Sequence, residues 1–124
     1  MPFISVSEAA RESPDSCVLA ALGQISEYPG TAPGASPAAV LEMEYLFEIG
    51  RLHRSAEKIV AILESSVGLR VCSMPFRDVA MEALQEKWTR DPFDRLIVAN
   101  AKAAGAPLVT KDERIRKHYR RAIW

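Results

Sequence analysis

Two aspartates in the last third of the chain stand where an acid can do chemistry. Asp112 follows the apolar run Pro107-Leu108-Val109-Thr110 after one intervening residue, and Asp94 lies just past Pro92, in the first turn of the helix expected to precede that run. A hydrolytic two-metal site needs several carboxylates converging on one point. Hard cations such as Mg²⁺ and Mn²⁺ take oxygen ligands, and like charges gather only where something neutralises them. In an open α/β sheet that point lies beyond the carboxyl ends of the strands. A right-handed crossover returns each helix antiparallel to its strands, so helix starts and strand ends share one edge. Both aspartates also suit a structural role: an acid in a first turn favours the helix dipole, and an acid after a strand caps the next helix.

Positive charge lies close by. Lys111, Arg114, Arg116, Lys117, Arg120 and Arg121 crowd into eleven residues, and Arg90 and Arg95 flank Asp94. Arg90, Arg95, Lys111 and Arg114 are the candidates for contacting substrate phosphates; a solvated helix face would give the same pattern. Neither His53 nor His118 has an obvious Ser or Cys partner in the sequence, and both read as exposed helix residues. Cys17 and Cys72 belong to no CxxC motif or Cys/His cluster, so they read as small buried or half-buried side chains.

The elements that must position these groups are partly visible. Residues 3–6 form a weak strand candidate. Ser7 opens a helical turn, and Ser13-Pro14-Asp15 starts a helix carrying Val18, Leu19, Leu22 and Ile25. Residues 28–37, with three prolines and two glycines, read as a loop. Ser36-Pro37 opens a helix with Val40, Met43, Leu46 and Phe47 on one face and Gly50 at its C′ position; Ser55 opens another that stops near Gly68. From residue 69 the expected order is strand (69–74), helix (76–87), helix (Asp91-Pro92 to Gly105), strand (106–110), helix (112–121) and edge strand (122–124). Such alternation predicts a mostly parallel sheet with helices on its faces.

A chain of 124 residues, 48% hydrophobic, suits one domain with a real core, here residues 1–124 with a divergent part over 1–35. The net charge is zero, so any basic surface must be local. No apolar stretch approaches the roughly 20 residues of a membrane span, and residues 1–11 do not read as a signal peptide. The expected location is the cytoplasm.

The run Arg90-Asp91-Pro92-Phe93-Asp94-Arg95-Leu96-Ile97-Val98-Ala99-Asn100-Ala101 resembles the signature RDPFDRxLxxxA of PIN domains, especially VapC-type toxins. Gly105-Ala106-Pro107-Leu108-Val109-Thr110-Lys111-Asp112 resembles the family's GxxLVTxD segment, and residues 41–52, from Leu41-Glu42 to Gly50-Arg51-Leu52, resemble its LWEIxxxxxxGRL stretch. The resemblance covers about residues 36–124. It implies a three-layer α/β/α sandwich and a ribonuclease using Mg²⁺ or Mn²⁺, with Glu42, Asp94 and Asp112 as catalytic acids and metal ligands. Asp91 matches a further aspartate and suits a metal contact or an N-cap; Glu44 and Glu48 compete with Glu42.

The family also implies a small antitoxin partner and a homodimer. It opens with a strand ending in Asp-Thr or Asp-Ser, whereas no aspartate follows residues 3–6. Asp15-Ser16-Cys17-Val18-Leu19 resembles that motif, and Asp15 reads either as its ligand or as a helix cap. A non-catalytic PIN-like module that binds RNA or protein is the alternative.

Overall fold

The computed structural model describes residues 1–5 and 32–124. Ten elements follow in order: β1 (Phe3–Ile4), β2 (Gly34–Ala35), α1 (Pro37–Glu48), α2 (Ala56–Val67), β3 (Arg70–Val71), α3 (Phe76–Ala83), α4 (Pro92–Ala103), β4 (Leu108–Val109), α5 (Glu113–His118) and β5 (Ala122–Ile123). The five strands form one sheet in the order β3-β2-β1-β4-β5, every pair parallel. The expected α/β sandwich is therefore present. The cap and helix expected over residues 7–25, with Asp15, lie outside the described residues.

Helix starts fall where local chemistry puts them. Ser36 caps α1 by accepting from the Ala38 amide, with Pro37 at the first helical position. Ser55 caps α2, which ends on Gly68 in the left-handed region at φ 71. Asp91 and Asp112 cap α4 and α5.

Strand alternation divides the core. Phe3 and Leu108 enter a cluster with Ile97, Val98, Ile115 and Tyr119, from α4, α5 and the turn after α5. Ile4 and Val109 enter another with Met43, Leu46, Ile59 and Leu63 from α1 and α2. Successive side chains on a strand point to opposite faces, so the two clusters are the two sides of the sheet.

Several expectations are corrected. The proline- and glycine-rich stretch contains strand β2, because Gly34 and Ala35 find partners on both sides: Gly34 donates to the Pro2 carbonyl at 2.7 Å and Arg70 to that of Pro33 at 3.0 Å. A Cβ at Gly34 would meet Met1 and the Phe3 ring at 3.0 Å, so glycine permits that close packing. Phe47 is 39% exposed and leaves the buried face of α1, where Ala39 and Glu42 join Met43 and Leu46. His53 lies in the bend between α1 and α2 rather than on a helix. Helices α3 and α5 are shorter than expected. The backbone at Tyr119 becomes extended and leads into β5.

Candidate active site at the carboxyl edge of the sheet

The site begins one residue beyond the paired strand positions. The registers Phe3↔Gly34 and Ile4↔Val109 place Ser5 level with Ser36 on one neighbour and Thr110 on the other. All three hydroxyl residues are at most 2% exposed. Ser36 Oγ serves the α1 cap, and Thr110 Oγ1 accepts from the Asp112 amide at 3.1 Å. Ser5 Oγ, in the middle of this row, has no hydrogen-bond partner among the described residues. A buried hydroxyl without a partner costs free energy, on the order of 1–3 kcal/mol, so it marks a place where something else can be accommodated.

Two of the acids follow this row in the chain, Asp112 two residues past Thr110 and Glu42 six residues past Ser36. Asp112 Oδ1 accepts from the amides of Arg114 at 2.8 Å and Ile115 at 3.3 Å, so the start of α5 holds the carboxylate in place. Asp94 lies in the first turn of α4, and Glu42 lies halfway along α1. Glu42, Asp94 and Asp112 are each 6–7% exposed, which is unusual for carboxylates. Tyr45 meets Phe93 with ring centroids 6.1 Å apart, setting α1 against the first turn of α4 beside both Glu42 and Asp94.

The competing acids are used otherwise. Glu44 Oε1 accepts from the Ala56 amide at 3.1 Å and ties α1 to α2, while Glu48 is exposed. Asp91 is exposed, and its Oδ1 accepts from the amides of Phe93 and Asp94 at 2.8 and 3.3 Å. Among the described residues, no three His, Cys, Asp or Glu side chains are gathered closely enough to hold an ion by themselves. In donor chemistry the residues fit a hard divalent cation: the three buried carboxylates offer oxygen, and Ser5 supplies an oxygen without a partner.

Of the candidate phosphate contacts, Arg90 is exposed, and Arg95 is half-buried with Nε donating to the Thr89 carbonyl at 2.8 Å. Lys111 is half-buried, and the Arg114 guanidinium lies 5.8 Å from the centre of the Trp88 ring. Cys72 is a half-buried free thiol that accepts from Asn100 Nδ2 at 3.3 Å. No helix among the described residues is long and apolar enough to cross a membrane.

Sequence reasoning missed two features. The hydroxyl row emerges only from strand register. The stack of Trp88 on His118, 4.7 Å between centroids and 7° between planes, joins residues thirty positions apart. The only sequence signal for either was residue type.

Comparisons with known proteins bear on the fold. A toxin–antitoxin complex from Klebsiella pneumoniae superimposes with TM-score 0.67 at 11% identity, covering 100% of this chain and 97% of that one. VapC20 of Mycobacterium tuberculosis, a toxin that cleaves the sarcin–ricin loop, gives TM-score 0.62 at 17% identity, with 95% of each chain covered. VapBC2 of Rickettsia felis, bound to a DNA fragment from its promoter, gives 0.58 at 19% identity, covering 99% and 96%. At these identities the likeness is one of fold. No curated protein matches the chain. The PIN domain pattern matches residues 7–121, nearly the whole length, and the chain belongs to the PIN domain family.

Proposed function

We propose that this protein is a metal-dependent endoribonuclease, the toxin of a toxin–antitoxin pair. The observation that carries the reading is the burial of Glu42, Asp94 and Asp112, the last just beyond the carboxyl end of β4, together with a buried Ser5 hydroxyl that has no hydrogen-bond partner among the described residues. Carboxylates are rarely buried so far, and a shared cation is one way to offset the charge of several of them. The three acids would hold Mg²⁺ or Mn²⁺, and Asp91 would contribute through its free carboxylate oxygen. When bound, the cation supplies a lowered pKa for an attacking water and charge stabilisation for the phosphoryl oxygens. The chain itself fixes Asp112 through two α5 amides and buries the acids away from competing water. Arg90, Arg95, Lys111 and Arg114 would position the RNA backbone.

An antitoxin partner fits the surface of α1 and α2. Leu41, Tyr45, Phe47, Ile49 and Ile62 are 39–61% exposed there, while Leu46 and Leu63 are buried. A groove of about 610 Å³ runs between the two helices past Val40, Leu41, Val60 and Ala61. Apolar surface of this kind suits a small antitoxin segment, and a homodimer would cover part of it.

The test compares wild type with Asp94→Asn on mixed RNA, with Mn²⁺, with Mg²⁺ and with chelator. Metal-dependent cleavage lost in the variant supports the reading. RNA left intact by wild type in every metal would sink it and favour the second reading, a PIN-like module that binds without cleaving. That second reading has its own observation: serine stands at the end of β1, and a hydroxyl cannot replace a carboxylate's charge.

A further inference from the structure

The charge-neutral chain concentrates positive charge on α5 and the turn behind it. Among the described residues Arg114, Lys117, Arg120 and Arg121 form no ion pair. Lys102, His118, Tyr119, Arg120 and Arg121 line a groove of about 580 Å³. Its position follows from backbone contacts. Tyr119 donates its hydroxyl to the Ala106 carbonyl, and Arg121 Nη1 donates to that of Gly105, both just ahead of β4. The groove therefore lies at the amino edge of the sheet, opposite the acids.

A platform joins the two edges. Arg114, two residues past Asp112, sits over the Trp88 ring at 5.8 Å, and His118 stacks on the same ring at 4.7 Å. Trp88 is held from behind: its Nε1 donates to Glu86 Oε2 at 2.7 Å, and the buried Glu86 is paired with Lys102 at 2.6 Å. From Asp112 to His118 the helix climbs about 9 Å at 1.5 Å per residue. Guanidinium, indole and imidazole thus line one side of α5, and the groove with its arginines continues from His118.

The geometry points to a track for single-stranded RNA along α5, running from the acid edge to the groove, with Arg120 and Arg121 on its phosphates and the exposed His118 under a base. This deepens the nuclease reading and rests on it. A cationic groove beside a planar stack matches single strands, whose bases are free to lie on aromatic and guanidinium faces, whereas duplex bases are already stacked.

The test measures binding of a fluorescein-labelled single-stranded RNA oligonucleotide by anisotropy, in chelator, between 50 and 200 mM salt. The proteins are full-length wild type, Arg120→Glu and His118→Ala, with a duplex DNA of equal length as the second arm. Arg120→Glu is expected to weaken RNA binding roughly tenfold and to flatten the salt slope by about one. His118→Ala is expected to weaken it severalfold with the slope unchanged, and to leave duplex DNA binding within twofold of wild type. RNA affinity within twofold of wild type in both variants overturns the track, as does a loss confined to duplex DNA. Arg120 is exposed and makes no ion pair, so its reversal keeps the test decisive even if His118→Ala disturbs Trp88. Because cleavage is silent in chelator, wild type that binds here yet leaves RNA intact with Mn²⁺ or Mg²⁺ rejects the nuclease reading and leaves the track standing.

Discussion

Glu86 and Asp112 are both buried carboxylates, and the two sides of α4 and α5 treat them differently. Glu86, 2% exposed, is neutralised by the Lys102 ammonium and the Trp88 indole. Asp112, 7% exposed, is held by two backbone amides at a helix start. A lysine partner cancels the charge on Glu86. Amides orient Asp112 while leaving its full charge available, which suits an acid that must face a cation. The partner of a buried carboxylate thus decides whether its charge is cancelled or left in place.

The comparison breaks most sharply at the carboxyl edge. Asp94→Asn keeps size and polarity but removes the charge, so cleavage measured with Mn²⁺ is expected to fall by about a hundredfold or more, since even supporting partners of metal ligands are worth 10–100-fold. Glu86→Gln should do the reverse. Lys102 is left without its acid, and stability measured by urea unfolding is expected to drop by roughly 1–3 kcal/mol, below the value for a fully buried pair because Lys102 is 31% exposed. A glutamine oxygen can still accept from the Trp88 indole, so the activity of the folded fraction at saturating RNA should stay near wild type. An Asp94→Asn protein that cleaves normally, or a Glu86→Gln protein that is stable and inactive, would reverse the assignment.

Asp112 lies between these cases and sharpens them. Asparagine caps a helix as well as aspartate does, so Asp112→Asn should leave the unfolding midpoint almost unmoved while cleavage falls. Asp112→Ala should lose the cap as well, about 1 kcal/mol by the same unfolding assay. Equal stability in the two variants would mean the cap contributes nothing. The smallest effect is expected at the end of α2, where Gly68 has φ 71 and an added Cβ would meet only the Ala32 Cβ at 3.8 Å, an ordinary contact: Gly68→Ala should cost about 1 kcal/mol and leave cleavage unchanged.

The sequence was legible wherever structure is local. Ser36-Pro37, Ser55, Asp91-Pro92 and Asp112 start helices as their side chains dictate, because each cap is satisfied within three residues. Strand β2 was not legible. Gly34 and Ala35 have little strand propensity, and their conformation comes from β1 and β3 on either side. At the site, Asp94 and Asp112 could be picked out from their places at a helix start and a strand end. Glu42 stood out only through family resemblance, because an acid in mid-helix carries no local signal. The Ser36–Ser5–Thr110 row and the Trp88 platform depend on neighbours distant in sequence, which no local pattern encodes.

The pairing of β1 has a consequence in time. Phe3 and Ile4 lie at the centre of the sheet, yet one neighbouring strand is supplied by Leu108 and Val109, near the other end of the chain. Closing so long a loop is entropically slow, and during synthesis it must wait until that late strand has emerged. Asp112 comes still later. A nascent chain stopped before Leu108 should be open to limited proteolysis across β1, while one extended through Ile123 should resist it. The order of synthesis thus leaves β1 without one of its two neighbours until Leu108 and Val109 have emerged.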